Sequence, residues 1–131
     1  MADSPQGDLT TRTLAMPADT NPAGDIFGGW LLAQMDIAGN LVSKRIAKGR
    51  TVTIAVDSMN FHLPVFVGDT VACYTKVKRI GRTSVTIHVE AWVSRQYTTK
   101  LIRVTEGNFT FVAIDENRKP RKIERDNDDD D

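Results

Sequence analysis

The chain has 131 residues, of which 40 % are hydrophobic, and this is enough for one core and one domain. Seventeen basic residues balance seventeen acidic ones, which removes the global electrostatic reason to expect a nucleic-acid partner. No apolar run approaches the roughly 20 residues that a bilayer span requires, and the N-terminal residues lack the basic-then-apolar order of a secretory signal. We therefore predict a cytoplasmic protein with no nucleic-acid and no membrane partner.

The predicted elements begin with a flexible segment at residues 1–8 and a short strand at residues 9–16. A loop rich in proline, aspartate, asparagine and glycine follows at residues 17–24. One long helix comes next, because apolar residues recur at intervals of three and four, and Gly49 provides its end. The apolar face consists of Leu31, Met35, Ala38, Val42 and Ile46. We expect a helix this apolar to be largely buried.

Four strand-like runs with alternating apolar residues follow the helix, at residues 51–61, 70–80, 84–94 and 101–114. The order of one strand, one long helix and four strands predicts an α+β fold, in which an antiparallel meander curls around the helix. The apolar parity of the last run changes around Gly107, which predicts a β-bulge near that residue.

The C-terminal segment, the cysteine and the two histidines carry no predicted chemistry. A single domain is expected to span residues 9–114, and the polar segment at residues 115–131 is expected to be a solvated, disordered tail. Cys73 lies in an apolar strand pattern, which favours a small buried side chain over a nucleophile. His62 and His88 are predicted to be structural or surface residues and not catalysts.

The best candidates for chemistry lie between Gly24 and Asp36. Gly28 and Gly29 stand where the helix begins, and glycines there let a ligand approach bare N–H groups whose dipole favours negative charge. Asp36 follows two turns later among apolar residues, where a carboxylate is costly unless it has a partner or a function. From spacing alone, Asp36 is as readily a structural acid, and the glycines as readily allow close helix packing.

Several motifs accompany this helix. They are Leu14-Ala15-Met16-Pro17-Ala18-Asp19-Thr20-Asn21, Gly24-Asp25-Ile26-Phe27-Gly28-Gly29-Trp30, Gln34-Met35-Asp36, Asp57-Ser58-Met59-Asn60-Phe61, Val67-Gly68-Asp69 and Ile80-Gly81-Arg82-Thr83-Ser84. Together the motifs resemble those of the hotdog-fold acyl-CoA thioesterases, in particular their small bacterial single-domain group. The resemblance covers roughly residues 12–114. It implies the hotdog fold, a curved antiparallel sheet wrapped around one long central helix.

The resemblance also implies hydrolysis of an acyl-CoA thioester to a free acid and CoA, with no metal and no further cofactor. Asp36 is then the general base or the nucleophile, Asp25 a second residue of the same site, and the N–H groups of Gly28 and Gly29 the oxyanion hole. The CoA-contacting turn of the family matches Arg79, Arg82, Thr83 and Ser84. Members assemble as dimers that often form trimers, so a homo-oligomer, either a dimer or a trimer of dimers, is expected.

The distance between the two acids bears on this assembly. Asp25 and Asp36 are eleven residues apart, and a helix rising about 1.5 Å per residue would separate them by roughly 16 Å. One chain cannot then bring both to one site, so Asp25 and the glycine pair of one subunit are expected to face Asp36 of another across a two-fold interface. Related enzymes can carry asparagine where this chain has Asp25, which leaves the role of that residue open.

Other functions remain possible from the sequence. A hydratase of the same fold is disfavoured, because the helix entrance has no histidine. A non-catalytic acyl-CoA binding or sensing protein is the main alternative, and a carrier-protein thioester is an alternative substrate. A second basic group near the end of the helix also competes for the CoA phosphates, with Lys44, Arg45, Lys48 and Arg50 as its members.

Overall fold

A five-stranded antiparallel sheet and one long helix form the architecture of this computed structural model, which describes residues 4–124. The elements are β1 (Asp8–Leu14), a 3₁₀ turn (Pro17–Asp19), α1 (Gly28–Ala47), β2 (Thr51–Phe61), β3 (Thr70–Ile80), β4 (Ser84–Ser94) and β5 (Leu101–Ala113). Helix α1 packs against the sheet. The predicted α+β fold, an antiparallel sheet with one central helix, is confirmed. Among residues 4–124 no helix combines the length and the hydropathy that crossing a membrane requires.

Helix α1 buries one face and leaves another open. The buried residues are Leu31, Met35, Ala38, Gly39, Ser43 and Ala47. Ile37 is 50 % exposed, so the expectation that the whole helix is largely buried is wrong for this chain taken alone. The helix ends close to the predicted stop, because Lys48 adopts a left-handed conformation and the N–H of Gly49 donates to the carbonyl of Lys44 at 3.1 Å.

The strand order differs from the predicted meander. Only β3, β4 and β5 are sequential neighbours, while β2 pairs with β5 at one edge and β1 pairs with β3 at the other. The connection after β2 explains this, because it contains Pro64 and bonds to two distant segments. The carbonyl of Val65 accepts from Ile26 at 3.0 Å, and the carbonyl of Asp69 accepts from Ala15 at 2.9 Å. Alternation within a strand carries no information about which strand becomes its neighbour.

The predicted bulge in β5 exists but lies upstream of Gly107. The register between β4 and β5 shifts at Val104, which allows both Val104 and Thr105 to be buried. Gly107 has another role, since a Cβ there would overlap the sulfur of Met59 on β2. A further register shift, between Asp57 and Asn60 of β2, lies opposite Gly107 itself. The parity change in the sequence therefore predicts an irregularity near Gly107 correctly.

The polar C-terminal segment is structured as far as the structure describes it. The N–H of Ile123 donates to the carbonyl of Arg82 at 2.8 Å, and its side chain is only 4 % exposed. The guanidinium of Arg121 donates to the carbonyl of Ala47 at 2.7 Å. The predicted disordered tail is thus wrong for residues 115–124, because backbone and side-chain hydrogen bonds and one buried apolar side chain dock the segment on the core. Residues 125–131 lie outside the described residues.

The N-terminal segment also makes defined contacts. Strand β1 begins at Asp8, inside the segment that the sequence indicated as flexible. Before it, the N–H of Gln6 donates to Oε1 of Glu90 at 3.1 Å. Residues 1–3 lie outside the described residues. Cys73 is fully buried as predicted, and burial raises the pKa of its thiol to about 11, against a smaller lowering by a hydrogen bond from Thr11.

A polar network crosses the sheet around Glu90, whose side chain is only 1 % exposed. Trp92 Nε1 donates to its Oε1 at 2.8 Å, and His88 Nε2 lies 3.2 Å from its Oε2. Burial pushes the pKa of Glu90 upward, but hydrogen bonds from Trp92, Gln6 and His88, together with the charge of His88, bring it below the ordinary value. Arg103 Nη1 is a further cation at 3.7 Å.

The lowered pKa makes the stability of the fold depend on pH. The ionised Glu90 carboxylate stabilises the folded state. This stabilisation is complete at pH values above 4.5, the ordinary pKa, and is lost as the pH falls through the lower pKa of the folded state. We expect Glu90→Gln to reduce the free energy of unfolding by about 1–3 kcal/mol at pH 7, with a deficit that shrinks towards pH 3. Chemical denaturation across this pH range measures both quantities. Glu116→Gln, at an exposed position, is the control, and a deficit independent of pH would contradict the assignment.

Two helix glycines differ sharply in their surroundings. A Cβ at Gly39 would lie 2.7 Å from Cζ of buried Phe111, whereas a Cβ at Gly29 would meet nothing within 4 Å. We expect Gly39→Ala to destabilise the fold by about 1–3 kcal/mol through overpacking. Gly29→Ala is expected to leave stability unchanged or slightly higher, since alanine favours helix. Thermal unfolding of the two variants side by side tests this, and equal losses would refute the steric account.

Candidate active site

The helix entrance is held in place by backbone hydrogen bonds. The N–H of Phe27, the N-cap residue, donates to the carbonyl of Asp19 at 3.0 Å, and the N–H of Ile26 donates to Val65. The N–H groups of Trp30 and Leu31 both turn back to the carbonyl of Phe27. Within residues 4–124, the N–H groups of Gly28 and Gly29 have no such acceptor, and no side chain caps the helix. Two donors at the positive end of the dipole are thus available to a ligand.

The surroundings of the glycine pair decide between the two interpretations left open by the sequence. Gly28 and Gly29 are both exposed, and a Cβ at Gly28 would reach only Phe61 Cε1, at the ordinary distance of 3.9 Å. Close packing of this chain's helix on its own sheet therefore does not require either glycine. The two glycines instead leave space for a group from outside the chain to approach the backbone.

A cavity of about 310 Å³ lies at this entrance. Its lining is largely apolar and comes from the start of α1, the end of β2 and the connection that follows, namely Ile26, Phe27, Gly28, Leu31, Phe61, His62, Leu63, Pro64 and Val65. An apolar cavity beside unpaired N–H donors suits a ligand that joins an acyl group to a polar carbonyl.

Asp36 lies two turns into α1 and is half-buried. Its Oδ1 accepts a hydrogen bond from Thr53 Oγ1 of β2 at 2.6 Å. Along the axis, Asp36 is about 12 Å from Gly28, eight residues away. A carbonyl held by the glycine N–H groups is therefore beyond the reach of the Asp36 carboxylate of the same chain.

Asp25 lies in the loop before the helix and is half-buried. Its N–H donates to Oδ1 of Asn21 at 3.1 Å, and its carbonyl accepts from the N–H of Asn21 at 2.7 Å. Helix α1 begins only at Gly28, so Asp25 lies outside it. The rise of about 1.5 Å per residue therefore applies to the separation of Gly28 and Asp36, and not to that of Asp25 and Asp36. The helical rise thus separates the helix entrance from Asp36 in one chain, but it gives no distance for Asp25, so the predicted separation of roughly 16 Å between Asp25 and Asp36 does not apply.

The four residues predicted to contact CoA lie at the other end of the molecule. Arg79 and Arg82 are exposed, and the turn closes through a hydrogen bond from Gly81 N–H to the Ser84 carbonyl at 2.7 Å. The C-terminal segment ties Arg82 to the end of α1 at Ala47. A helix of 20 residues is about 30 Å long, so one chain does not bring Thr83 and its neighbours to the glycine pair.

The second basic group lies near the same end. A cavity of about 490 Å³ is lined there by Asn40, Lys44, Gly49, Arg50 and Thr51. The Arg50 carbonyl accepts from Ile114 N–H, next to Ala113, whose N–H donates to the Thr83 carbonyl. The two basic groups, which the sequence presents as alternatives, therefore flank the same end of β5.

One cluster among the described residues has the composition of a metal site. The ligand atoms of His88, Glu90 and Glu106 lie within 4.8 Å of one another. Arg103 shares this cluster, with Nε 3.4 Å from Oε2 of Glu106, and His62 Nε2 lies 3.0 Å from the same oxygen. Arg103 and the rings of His62 and His88 thus already pair with the two carboxylates, and the cluster is accounted for as a network of hydrogen bonds and ion pairs.

The sequence pattern of the thioesterase superfamily matches residues 23–100, more than half of the chain. The chain belongs to the thioesterase superfamily. The acyl-CoA thioester hydrolase YciA of Escherichia coli is a relative of this thioesterase, 52 % identical over 122 residues that cover 91 % of the chain and 92 % of the relative.

Solved structures of other thioesterases superpose closely on this one. The hexameric thioesterase of Yersinia pestis has a TM-score of 0.90 at 51 % identity, covering 94 % of this chain and 100 % of that one. A hexameric hotdog-fold thioesterase of Campylobacter jejuni has a TM-score of 0.83 at 40 % identity, covering 90 % and 91 %. The hotdog fold and the family indicated by the sequence motifs are both confirmed.

The sequence did not identify the partner of Asp36 in this thioesterase. Thr53 is one of two threonines spaced two residues apart on β2, and the other, Thr51, accepts a hydrogen bond from Asn40. That spacing places both hydroxyls on one face of a strand, a signal that is visible in the sequence. Only the structure shows that these two hydroxyls face α1.

Proposed function

We propose that this thioesterase hydrolyses acyl-CoA thioesters to a free carboxylic acid and CoA, with Asp36 as the catalytic carboxylate. The observation that carries the proposal is the helix entrance, where two glycine N–H groups that find no acceptor within residues 4–124 adjoin an apolar cavity. The names of relatives such as YciA of Escherichia coli support CoA as the thiol of the substrate. The cytoplasmic location expected from the sequence is part of this proposal.

The glycine pair would stabilise the charge that develops during the reaction. Attack on a thioester carbonyl places negative charge on its oxygen, and the N–H groups of Gly28 and Gly29 are the proposed donors to that oxygen. Removing one such pre-aimed donor typically raises the barrier by about 3 kcal/mol. The dipole of α1 acts in the same direction.

Asp36 would supply the other half of the chemistry. Either it takes a proton from water as the water oxygen attacks the carbonyl carbon, or its own oxygen attacks to form a mixed anhydride that water then hydrolyses. In both cases the carbonyl re-forms as the C–S bond breaks, and CoA leaves as a thiolate. Because a thiolate is readily expelled, a carboxylate without a serine–histidine pair suffices, and the proposed reaction needs no metal or further cofactor.

The proposed site is shared between subunits. The 12 Å between Gly28 and Asp36 requires the entrance of one chain to meet Asp36 of another. The surface near Asp36 is suited to such a contact, since Ile37 is 50 % exposed and Ile54, on the edge strand β2, is 58 % exposed. The hexameric assemblies of similar thioesterases support a dimer or a trimer of dimers here, with Asp25 joining the site from the entrance side.

The nucleotide end of CoA is proposed to bind at the β3–β4 turn. The exposed guanidinium groups of Arg79 and Arg82 offer charge-assisted hydrogen bonds to phosphate, and Thr83 and Ser84 offer hydroxyls. In one chain this turn lies about a helix length from the glycine pair, so it too would serve a site completed by a neighbouring subunit.

Release of free thiol from acyl-CoAs of increasing length, from acetyl to palmitoyl, tests the proposed function. We expect turnover without added metal, and we expect Asp36→Asn to lower kcat at least about 100-fold because proton transfer or covalent attack is lost. Size-exclusion chromatography should show an unchanged assembly.

Asp8→Asn is the matched control, since Asp8 is an exposed aspartate at the start of β1. Near-normal activity of Asp36→Asn would remove Asp36 from the mechanism. Binding of CoA without turnover of any acyl-CoA would favour a sensor or a carrier-protein substrate.

Mixing two inactive variants tests the shared site. Asp25→Ala removes a residue from the entrance side and Asp36→Asn removes the carboxylate of the other side. After subunit exchange, we expect activity to recover to about a quarter of wild type for statistically mixed dimers with two sites each, because one site in each heterodimer is intact. Homogeneous samples carried through the same exchange are the control. Recovery near zero despite verified exchange would place both acids in one chain's site.

A further inference from the structure

Two backbone hydrogen bonds hold the helix entrance, and both lie next to Gly28. The N–H of Phe27 donates to the carbonyl of Asp19 at 3.0 Å. The N–H of Ile26 donates to the carbonyl of Val65, also at 3.0 Å. In the proposed function the N–H groups of the glycine pair bind the thioester oxygen, and a displacement of about 1 Å can cost a reaction about 100-fold in rate. The residues that fix the two acceptor carbonyls therefore bear on the chemistry.

A guanidinium group fixes the segment around Val65. It belongs to Arg95, the residue directly after β4, and it lies against the connection between β2 and β3. Its Nη1 donates to the carbonyl of Pro64 at 3.2 Å, and its Cζ lies 4.8 Å from the centroid of the Phe66 ring. A planar cation over an aromatic face is attracted to that face. Arg95 thus contacts the residues on both sides of Val65.

The same guanidinium pairs with Asp69, at the end of this connection. Asp69 Oδ2 accepts a hydrogen bond from Arg95 Nη1 and another from the N–H of Phe66, the latter at 2.8 Å. Asp69 is only 2 % exposed, and a carboxylate this buried is costly without a paired cation. The ion pair therefore joins the connection from Pro64 to Asp69 to the end of β4.

The carbonyl of Asp19 is connected to the same ion pair through the backbone. The carbonyl of Asp69 accepts from the N–H of Ala15 at 2.9 Å, and the N–H of Gly68 donates to the carbonyl of Ala15 at 3.0 Å. Met16 follows in the chain. Its N–H donates to Oδ2 of Asp19 at 3.1 Å, and its carbonyl accepts from the N–H of Asp19 at 2.9 Å. Both acceptor carbonyls at the helix entrance therefore lead back to one ion pair.

We propose that Arg95 is a positioning residue for the N–H groups of the glycine pair. Its guanidinium fixes the connection through Pro64, Phe66 and Asp69, and the connection holds the entrance of α1 in place. Arg95 lies outside the lining of the cavity at the entrance, so it acts through the backbone and not by touching substrate. The assignment rests on the proposed function and adds to it a residue outside the motifs found in the sequence.

Kinetics of Arg95→Met and Arg95→Lys test the assignment on the acyl-CoA that the wild type hydrolyses fastest. Methionine keeps an apolar stem and removes the cation, so we expect kcat to fall about tenfold or more. We expect KM to stay within about threefold, because the variant leaves the proposed CoA-binding turn unchanged. Lysine keeps the charge but lacks the planar group over Phe66, and a loss of kcat of about threefold is expected. A folded variant of either kind with the kcat of the wild type would overturn the proposal.

Arg121→Met is the control for a merely structural effect. Arg121 is another half-buried arginine, and its Nη2 donates to the carbonyl of Ala47 at 2.7 Å, at the other end of α1. We expect Arg121→Met to lower Tm with kcat unchanged. Equal losses of kcat in Arg121→Met and Arg95→Met would assign Arg95 to the scaffold and reject the positioning role.

Amide hydrogen exchange, resolved to single residues by fragmentation in a mass spectrometer, gives a readout that does not depend on turnover. We expect Arg95→Met to accelerate exchange at the N–H groups of Ile26 and Phe27 by about tenfold or more, with exchange in β4 unchanged, because the opening is local. Arg95→Lys takes this test if Arg95→Met does not fold.

The exchange rates also separate this inference from the proposed function. If the wild type hydrolyses no acyl-CoA, the proposed function fails, and exchange at Ile26 and Phe27 still decides the positioning. Unchanged exchange at both residues, or the same acceleration throughout β4, would overturn it.

Discussion

The length of α1 is the constraint on which the rest of the structure depends. Its 20 residues extend about 30 Å, so the open N–H groups at its start and the basic residues beyond its end are held apart by a rigid rod. Asp36 lies between them, on the side where β2 forms the edge of the sheet. No rearrangement of side chains within one chain shortens these distances. In the proposed function a neighbouring copy of the chain supplies the missing groups, and assembly is then part of the chemistry.

The fold was predictable from the sequence wherever the pattern is local. The spacing of apolar residues located α1 and the strands, because an element that buries one face repeats its apolar residues at a fixed interval. The neighbour of β2 was not predictable, since the connection containing Pro64 fixes it through bonds to segments far away in the chain. The composition of residues 115–124 predicted disorder wrongly, because the segment is polar on average although Ile123 packs on the core.

In the candidate site, too, features local in the sequence were predictable and contacts between distant segments were not. A glycine pair and an acid stand out in the sequence because each is costly in a helix, so their presence needs an explanation. The sequence does not distinguish Gly39, which makes room for Phe111, from Gly29, which faces open space. The contact between Thr53 and Asp36 was beyond reach as well, since it joins two elements across a bulge whose position depends on the packed sheet.

The burial of Cys73 has a practical consequence. It is the only cysteine of the chain, it is fully buried, and the pKa of its thiol is raised to about 11. A chromogenic disulfide reagent reacts with thiolate, so the native protein contributes almost no colour to an assay that detects liberated CoA. The same reagent labels one sulfur per chain once the core opens. Cys73 is thus an internal probe of unfolding, and the reagent that detects the released CoA also detects it.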